Sequence, residues 1–122
     1  MITLLMALAG GAGAAARFVV DGAVSRWNRW TMPLGTVVIN VTGSFLLGFL
    51  TGLALKNSAF SELKYVLGTG FAGGYTTFST ASVEGARMAL RDGVWESAKT
   101  VVHAGSMLVV GMLAAFLGIF LA

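Results

Sequence analysis

The chain has 122 residues, 57% of them hydrophobic and only 11% charged. A soluble domain carries about 25% charged residues, so this composition excludes a self-sufficient water-soluble protein and leaves one membrane domain, residues 1–122, as the expected organisation. Cysteine is absent, histidine occurs once, and the eight basic residues are scattered at a net charge of +3; disulfides and thiolate metal centres are excluded, and a nucleic-acid partner is not expected.

A membrane-crossing helix needs about 20 mostly apolar residues. The first such stretch runs from about Ile2 to Val24. It lacks a positive side chain before Arg17 and a clean cleavage site, so it reads as a retained helix, not a signal peptide. Arg17 and Asp21 stand four apart near its end, a spacing that allows them to pair. The first loop, 25–32, combines Arg26 and Arg29 with Trp27 and Trp30, a membrane-interface composition. Pro33 then opens a second span to about Leu55; its interior carries Asn40 and hydroxyls but no charge, and Gly48 and Gly52 form a close-packing pair.

The third span, about 63–90, is different. Its middle, GTGFAGGYTTFSTAS, is rich in glycine and hydroxyls, and such a stretch is poor support for a continuous helix. A break at membrane depth is tolerated only when buried in protein or facing a wet cavity. The fourth span, about 100–121, carries His103 and Ser106 in its first half. Loops one and three hold Arg26, Arg29, Arg91 and Lys99 against Lys56, Lys64 and the terminal amine on the other side. This bias sets no orientation and permits insertion both ways up. The expected fold is therefore an all-α membrane protein of four transmembrane helices, the third broken mid-membrane.

Catalysis is not expected. Asp21, Glu62, Glu84, Asp92 and Glu96 lie mostly near span ends or in loops, His103 has no carboxylate nearby in sequence, and no nucleophile elbow occurs. The broken span offers other chemistry. Its freed carbonyls suit a small cation such as sodium. The hydroxyls of Thr76, Thr77, Ser79 and Thr80 and the amide of Asn40 are neutral donors that replace an anion's water shell without trapping the anion. The ring of Phe78 has a positive edge that can also face an anion. Read singly, Asn40 is interhelical glue, Phe78 is packing and a glycine-rich span is a close crossing. Their joint occurrence in one short chain favours a permeation path.

At these residues the sequence resembles the Fluc (CrcB) family of fluoride channels. GGAGAAARF (10–18) is similar to the family's first-helix pattern, GTVVINVTGSFLLG (35–48) to its asparagine-bearing second helix, and GGYTTFSTASVE (73–84) to its broken third helix. The last of these is the most specific. The resemblance implies a passive channel in the cell inner (plasma) membrane that exports fluoride. It also implies an antiparallel, dual-topology dimer with two pores along its interface. It implies a structural sodium ion held by the backbone carbonyls of Gly73 and Thr76. Asn40, Phe78, Ser79 and Thr80 would line the fluoride path, with Ser106 a weaker candidate; Arg17 would sit near a vestibule, and Glu84 matches a family glutamate. The partners implied are fluoride, the lipid bilayer, and either a second copy or a homologous second subunit.

One position departs from the pattern. The family usually reads TTFSTF, and the second phenylalanine is Ala81 here. Three explanations stand: a pore that tolerates the loss with reduced conduction, a different subunit that supplies the ring, or an engineered substitution. The alternative function is a small multidrug-type, proton-coupled exporter. It needs a membrane-embedded glutamate in the first helix, where this chain has only Asp21 near the end.

Overall fold

The computed structural model describes residues 1–29, 33–90 and 94–122. Trp30, Arg91 and Asp92, and the side chain of Glu96, lie outside the described residues. Every regular element among the described residues is helical. Helices α1 (Ile2–Trp27) and α2 (Leu34–Lys56) come first, followed by a 3₁₀ turn (Ser58–Phe60). A wound segment then runs through α3 (Ser61–Leu63), a π-helical stretch (Lys64–Ala72) and α4 (Gly73–Tyr75). Helices α5 (Phe78–Ala89) and α6 (Val94–Leu121) complete the chain.

Among the described residues, three helices are long and apolar enough to cross a membrane: Ile2–Trp27, Leu34–Lys56 and Ala98–Leu121. At 1.5 Å per residue the shortest rises about 35 Å, more than the ~30 Å hydrocarbon core. Their outer faces stay apolar and exposed, with Phe18, Phe116 and Phe120 among the bare side chains. Such surface belongs in lipid, and the protein is a multi-pass membrane protein. The third expected span is not a single helix. Its second half, α5, has 12 residues and rises only about 18 Å.

Two crossings hold the bundle together, and both bring backbones close. A Cβ added at Gly13 would collide with the carbonyl of Phe71, and one at Gly74 with the carbonyl of Gly10. These contacts seat the wound segment 61–75 on α1. On the other side α2 packs along α6, where a Cβ at Gly48 would strike Ala115 and one at Gly118 would strike Phe45 and Phe49. Gly48 and Gly52 thus serve a crossing inside the subunit. Close approach of this kind is how helices associate in lipid, where apolar burial supplies no driving force. The buried centre comprises Thr36, Ile39, Leu50, Ala72 and Tyr75; the Tyr75 ring stacks on Phe71 with centroids 5.9 Å apart.

The wide winding of Lys64–Ala72 has a local cause. Gly68 and Gly70 have little helix propensity, and both are buried against neighbours: Gly68 on Leu47, Gly70 on Met6 and Ala9. Packing, not propensity, sets the backbone there. π-helical turns are rare and concentrate at functional sites.

Candidate functional site

Helix α4 stops at Tyr75. Thr76 (φ −73°, ψ 156°) and Thr77 (φ −148°, ψ 121°) are extended, and α5 starts at Phe78. Asn40 holds this junction from α2. Its Nδ2 donates to the Thr77 carbonyl at 3.1 Å, and its Oδ1 accepts from the Thr77 N–H at 2.9 Å. One side chain therefore satisfies the Thr77 N–H, which the helix start leaves without a partner, and adds a second donor to its carbonyl. The reciprocal bonds also fix which amide atom is oxygen. Thr77 in turn caps α5: its Oγ1 accepts from the Thr80 N–H at 3.2 Å and lies 3.3 Å from Ser79 Oγ. Threonine at an N-cap is a standard solution for an exposed helix start.

The clamp has a consequence for the carbonyls before it. In a continuous helix the Thr77 N–H would bond the Gly73 carbonyl, and the Thr80 N–H would bond the Thr76 carbonyl. Both N–H groups are diverted, to Asn40 Oδ1 and to Thr77 Oγ1. The Thr76 carbonyl receives a long contact from Arg17 Nη1 at 3.5 Å. Gly73 is exposed, and a Cβ there would meet nothing within 4 Å. Gly73 and Thr76 are two of the four carbonyls, 73–76, whose i+4 helical donors the restart of the helix at Phe78 takes away. A carbonyl has two lone pairs, so Thr76 keeps acceptor capacity beside Arg17.

An open cavity of about 860 Å³ lies between α2, the wound segment, α5 and α6. Asn40, Gly73, Thr76 and Phe78 border it, and so do Ala81 and His103. A second pocket, about 240 Å³, is lined by Arg17, Asp21, Thr36, Thr77 and Thr80. The structure therefore divides the expected site residues. Asn40, Gly73, Thr76 and Phe78 share one wall; Arg17 and Thr80 share the other pocket; the Ser79 hydroxyl sits by Thr77 between them. Ser106 borders neither, and its hydroxyl donates to the His103 carbonyl at 2.9 Å. Phe78 is 87% exposed on the subunit surface. Arg17 reaches toward Thr76, while the carboxylate of Asp21 packs on Gly35.

Two residues carry more of the geometry than their sequence signal suggested. Thr77 is buried and takes part in both the Asn40 clamp and the cap of α5; its readable sign is a threonine immediately before a helical stretch. Tyr75 is buried and its hydroxyl lies 3.0 Å from Thr42 Oγ1, a second tie between α2 and the segment before the junction. No local pattern marks that pair.

The family model described as CrcB-like protein, Camphor Resistance (CrcB) matches residues 4–119. A protein of Cutibacterium acnes named fluoride-specific ion channel FluC 2 is 51% identical over 122 residues, covering 99% of this chain and 97% of that one. A fluoride-specific ion channel FluC 1 of Leifsonia xyli subsp. xyli is 54% identical over 89 residues, covering 73% of this chain and 65% of that protein. A fluoride-specific ion channel FluC 2 of Mycobacterium tuberculosis is 45% identical over 116 residues, covering 94% of this chain and 86% of that one. The matched span takes in α1, the Asn40 clamp, the Thr76–Thr77 junction and nearly all of α6, and the chain belongs to the CrcB-like family.

Proposed function

We propose that this chain is one subunit of a passive, fluoride-selective channel of the plasma membrane that lets fluoride leave the cytoplasm. The observation that carries this reading is the 51% identity, over nearly the full length of both chains, to a protein named for fluoride-specific conduction. The geometry is compatible with it. Moving a bare anion into hydrocarbon costs tens of kcal/mol by a Born estimate, so a path needs a row of donors that replace water. Asn40 has one N–H beyond its bond to Thr77. The hydroxyls of Ser79 and Thr80 and the ring edge of Phe78 follow within one turn. None of them is charged, so none holds the ion too tightly to release it. Arg17, in the smaller pocket, raises the local anion concentration without standing in the path.

The third span is read as a helix interrupted at membrane depth, and the pore as a product of two subunits in opposite orientations. Support comes from the surface of a single copy. Phe78 and Gly73 are bare, and the cavity they border is open on one side. The released carbonyls of Gly73 and Thr76 fit a sodium ion, a hard cation that takes oxygen ligands. Two such carbonyls from each subunit would hold it at the dimer centre, where it would tie the two junctions together. Ala81 leaves the cavity wall without a second ring. A homologous second subunit carrying that ring is the alternative partner to a second copy.

Fluoride efflux from liposomes carrying the purified protein, with chloride as control, tests the reading. Rapid fluoride-selective efflux is expected. Efflux that follows an imposed proton gradient would favour the proton-coupled exporter instead. No efflux from a folded dimer would remove the self-sufficient homodimer.

A further inference from the structure

Thr42 and Tyr75 grip α2 on the side that the Asn40 clamp does not. Thr42 Oγ1 lies 2.7 Å from the Val38 carbonyl, 3.2 Å from the Ile39 carbonyl and 3.0 Å from the Tyr75 hydroxyl. A threonine hydroxyl has one proton, and a carbonyl has none to give. That proton is therefore used within α2, and the Tyr75 hydroxyl is the donor to Thr42. Asn40 and Thr42 are two residues apart on α2, so they point about 200° apart around the helix. The Tyr75 ring spans that gap by crossing Gly43, where an added Cβ would lie 3.2 Å from Tyr75 Cδ1 and would strike the Thr76 methyl. Tyr75 is buried and its ring stacks on Phe71, so the phenol is held in this pose by packing. Residues 75–77 thus straddle α2, with Thr77 bound to Asn40 on one face and Tyr75 bound to Thr42 on the other.

A helix tied on one face can still roll about its axis; ties on two nearly opposite faces stop the roll. The direction in which Asn40 presents the N–H left over from its bond to Thr77 depends on that roll. We infer that Tyr75 is a positioning residue: its hydroxyl, donated to Thr42, fixes the roll of α2 against the junction and with it the orientation of the Asn40 amide. Tyr75 acts through Asn40 and needs no contact with a permeating ion. The orienting role stands on the contacts of α2 with residues 75–77 alone. Its consequence for permeation rests on the fluoride-channel reading, in which Asn40 lines the path.

The asparagines of the chain are Asn28, Asn40 and Asn57, few enough for the Asn40 amide to be followed by itself. Protein labelled with ¹⁵N-asparagine is reconstituted in lipid, and the Asn40 side-chain signal, recognised by its loss in Asn40→Asp, is recorded by solid-state NMR. The signal is expected to move in Tyr75→Phe and in Thr42→Val. It is expected to stay in Thr42→Ser, which keeps the acceptor, and in Tyr65→Phe, which removes the other tyrosine hydroxyl. An unmoved signal in either folded Tyr75→Phe or folded Thr42→Val, or one that Thr42→Ser moves as far as Thr42→Val does, overturns the role. Fluoride efflux per folded protein is read on the same samples. It is expected to fall about two- to tenfold in Tyr75→Phe, the scale of one net hydrogen bond, and to be kept in Thr42→Ser. A moved amide with unchanged efflux overturns the consequence for permeation. An unmoved amide with efflux intact removes the positioning role and leaves the channel; a moved amide in a protein that conducts no fluoride does the reverse.

Discussion

The two sides of the Thr76–Thr77 junction are built on opposite plans. Before it, residues 61–75 lie on α1 through glycines, backbone against backbone, and Ala72 and Tyr75 are buried. After it, α5 shows Phe78, Ser79 and Thr80 to the outside and packs on α6. The first half has found its partner within the subunit. The second presents polar hydroxyls and a ring on a surface that lipid would not choose. The contrast teaches where the proposed assembly would act: Gly74 and Tyr75 are packed within the subunit, whereas Gly73 and Phe78 are exposed.

Adjacent glycines allow a direct test. In Gly74→Val the new side chain strikes the Gly10 backbone, which cannot yield as a side chain does. Overpacking of that kind costs about 3 kcal/mol or more, and loss of folded protein on size-exclusion chromatography in detergent is expected. Asn40→Ala comes next. It strips the buried Thr77 N–H of its partner, and with an unsatisfied group costing about 1–3 kcal/mol, unfolding at lower temperature and loss of fluoride efflux are expected. A variant with normal efflux would show that the clamp is dispensable. Gly73→Ala separates the two halves more finely. Gly73 is helical (φ −63°, ψ −41°) and its Cβ meets nothing within the subunit, so alanine should leave the subunit as stable or raise it by about 0.5–1 kcal/mol. If a second copy seats its backbone there, cross-linking in membranes should report less dimer and efflux should fall. The smallest change is expected from Ala81→Phe. It adds a ring to the open cavity wall, and efflux should rise a few-fold with folding unaltered; unchanged efflux would show that a homodimer never needed the ring.

Much of this was legible in the sequence. The three long helices follow from apolar runs of sufficient length, and α2 begins directly after Pro33. The sequence pointed to the stretch 68–82 as poor helix, but the residues that leave the helix are Thr76 and Thr77, while Gly73 and Gly74 are helical. What the sequence did not disclose is partnership over distance. Asn40 bonds a backbone 37 residues away, and nothing local tells an asparagine's backbone partner from an anion. Gly48 and Gly52 read equally as an external or an internal surface; the fit of Ala115 and Ile119 against them decides for the interior. The π winding of Lys64–Ala72 was also out of reach, because it depends on how α1 and α2 grip Gly68 and Gly70.

That π-helical stretch has a consequence for how the family can vary. Its N–H groups reach one residue further back than in an α-helix, so each turn holds surplus chain. A single-residue deletion between Lys64 and Ala72 can be absorbed by rewinding toward α geometry, with Gly74 still seated on α1 and the Asn40 clamp in register. The same deletion in α2 would rotate Asn40 about 100° away from Thr77. Where functional relatives differ in length within their membrane segments, the gap is expected in this stretch.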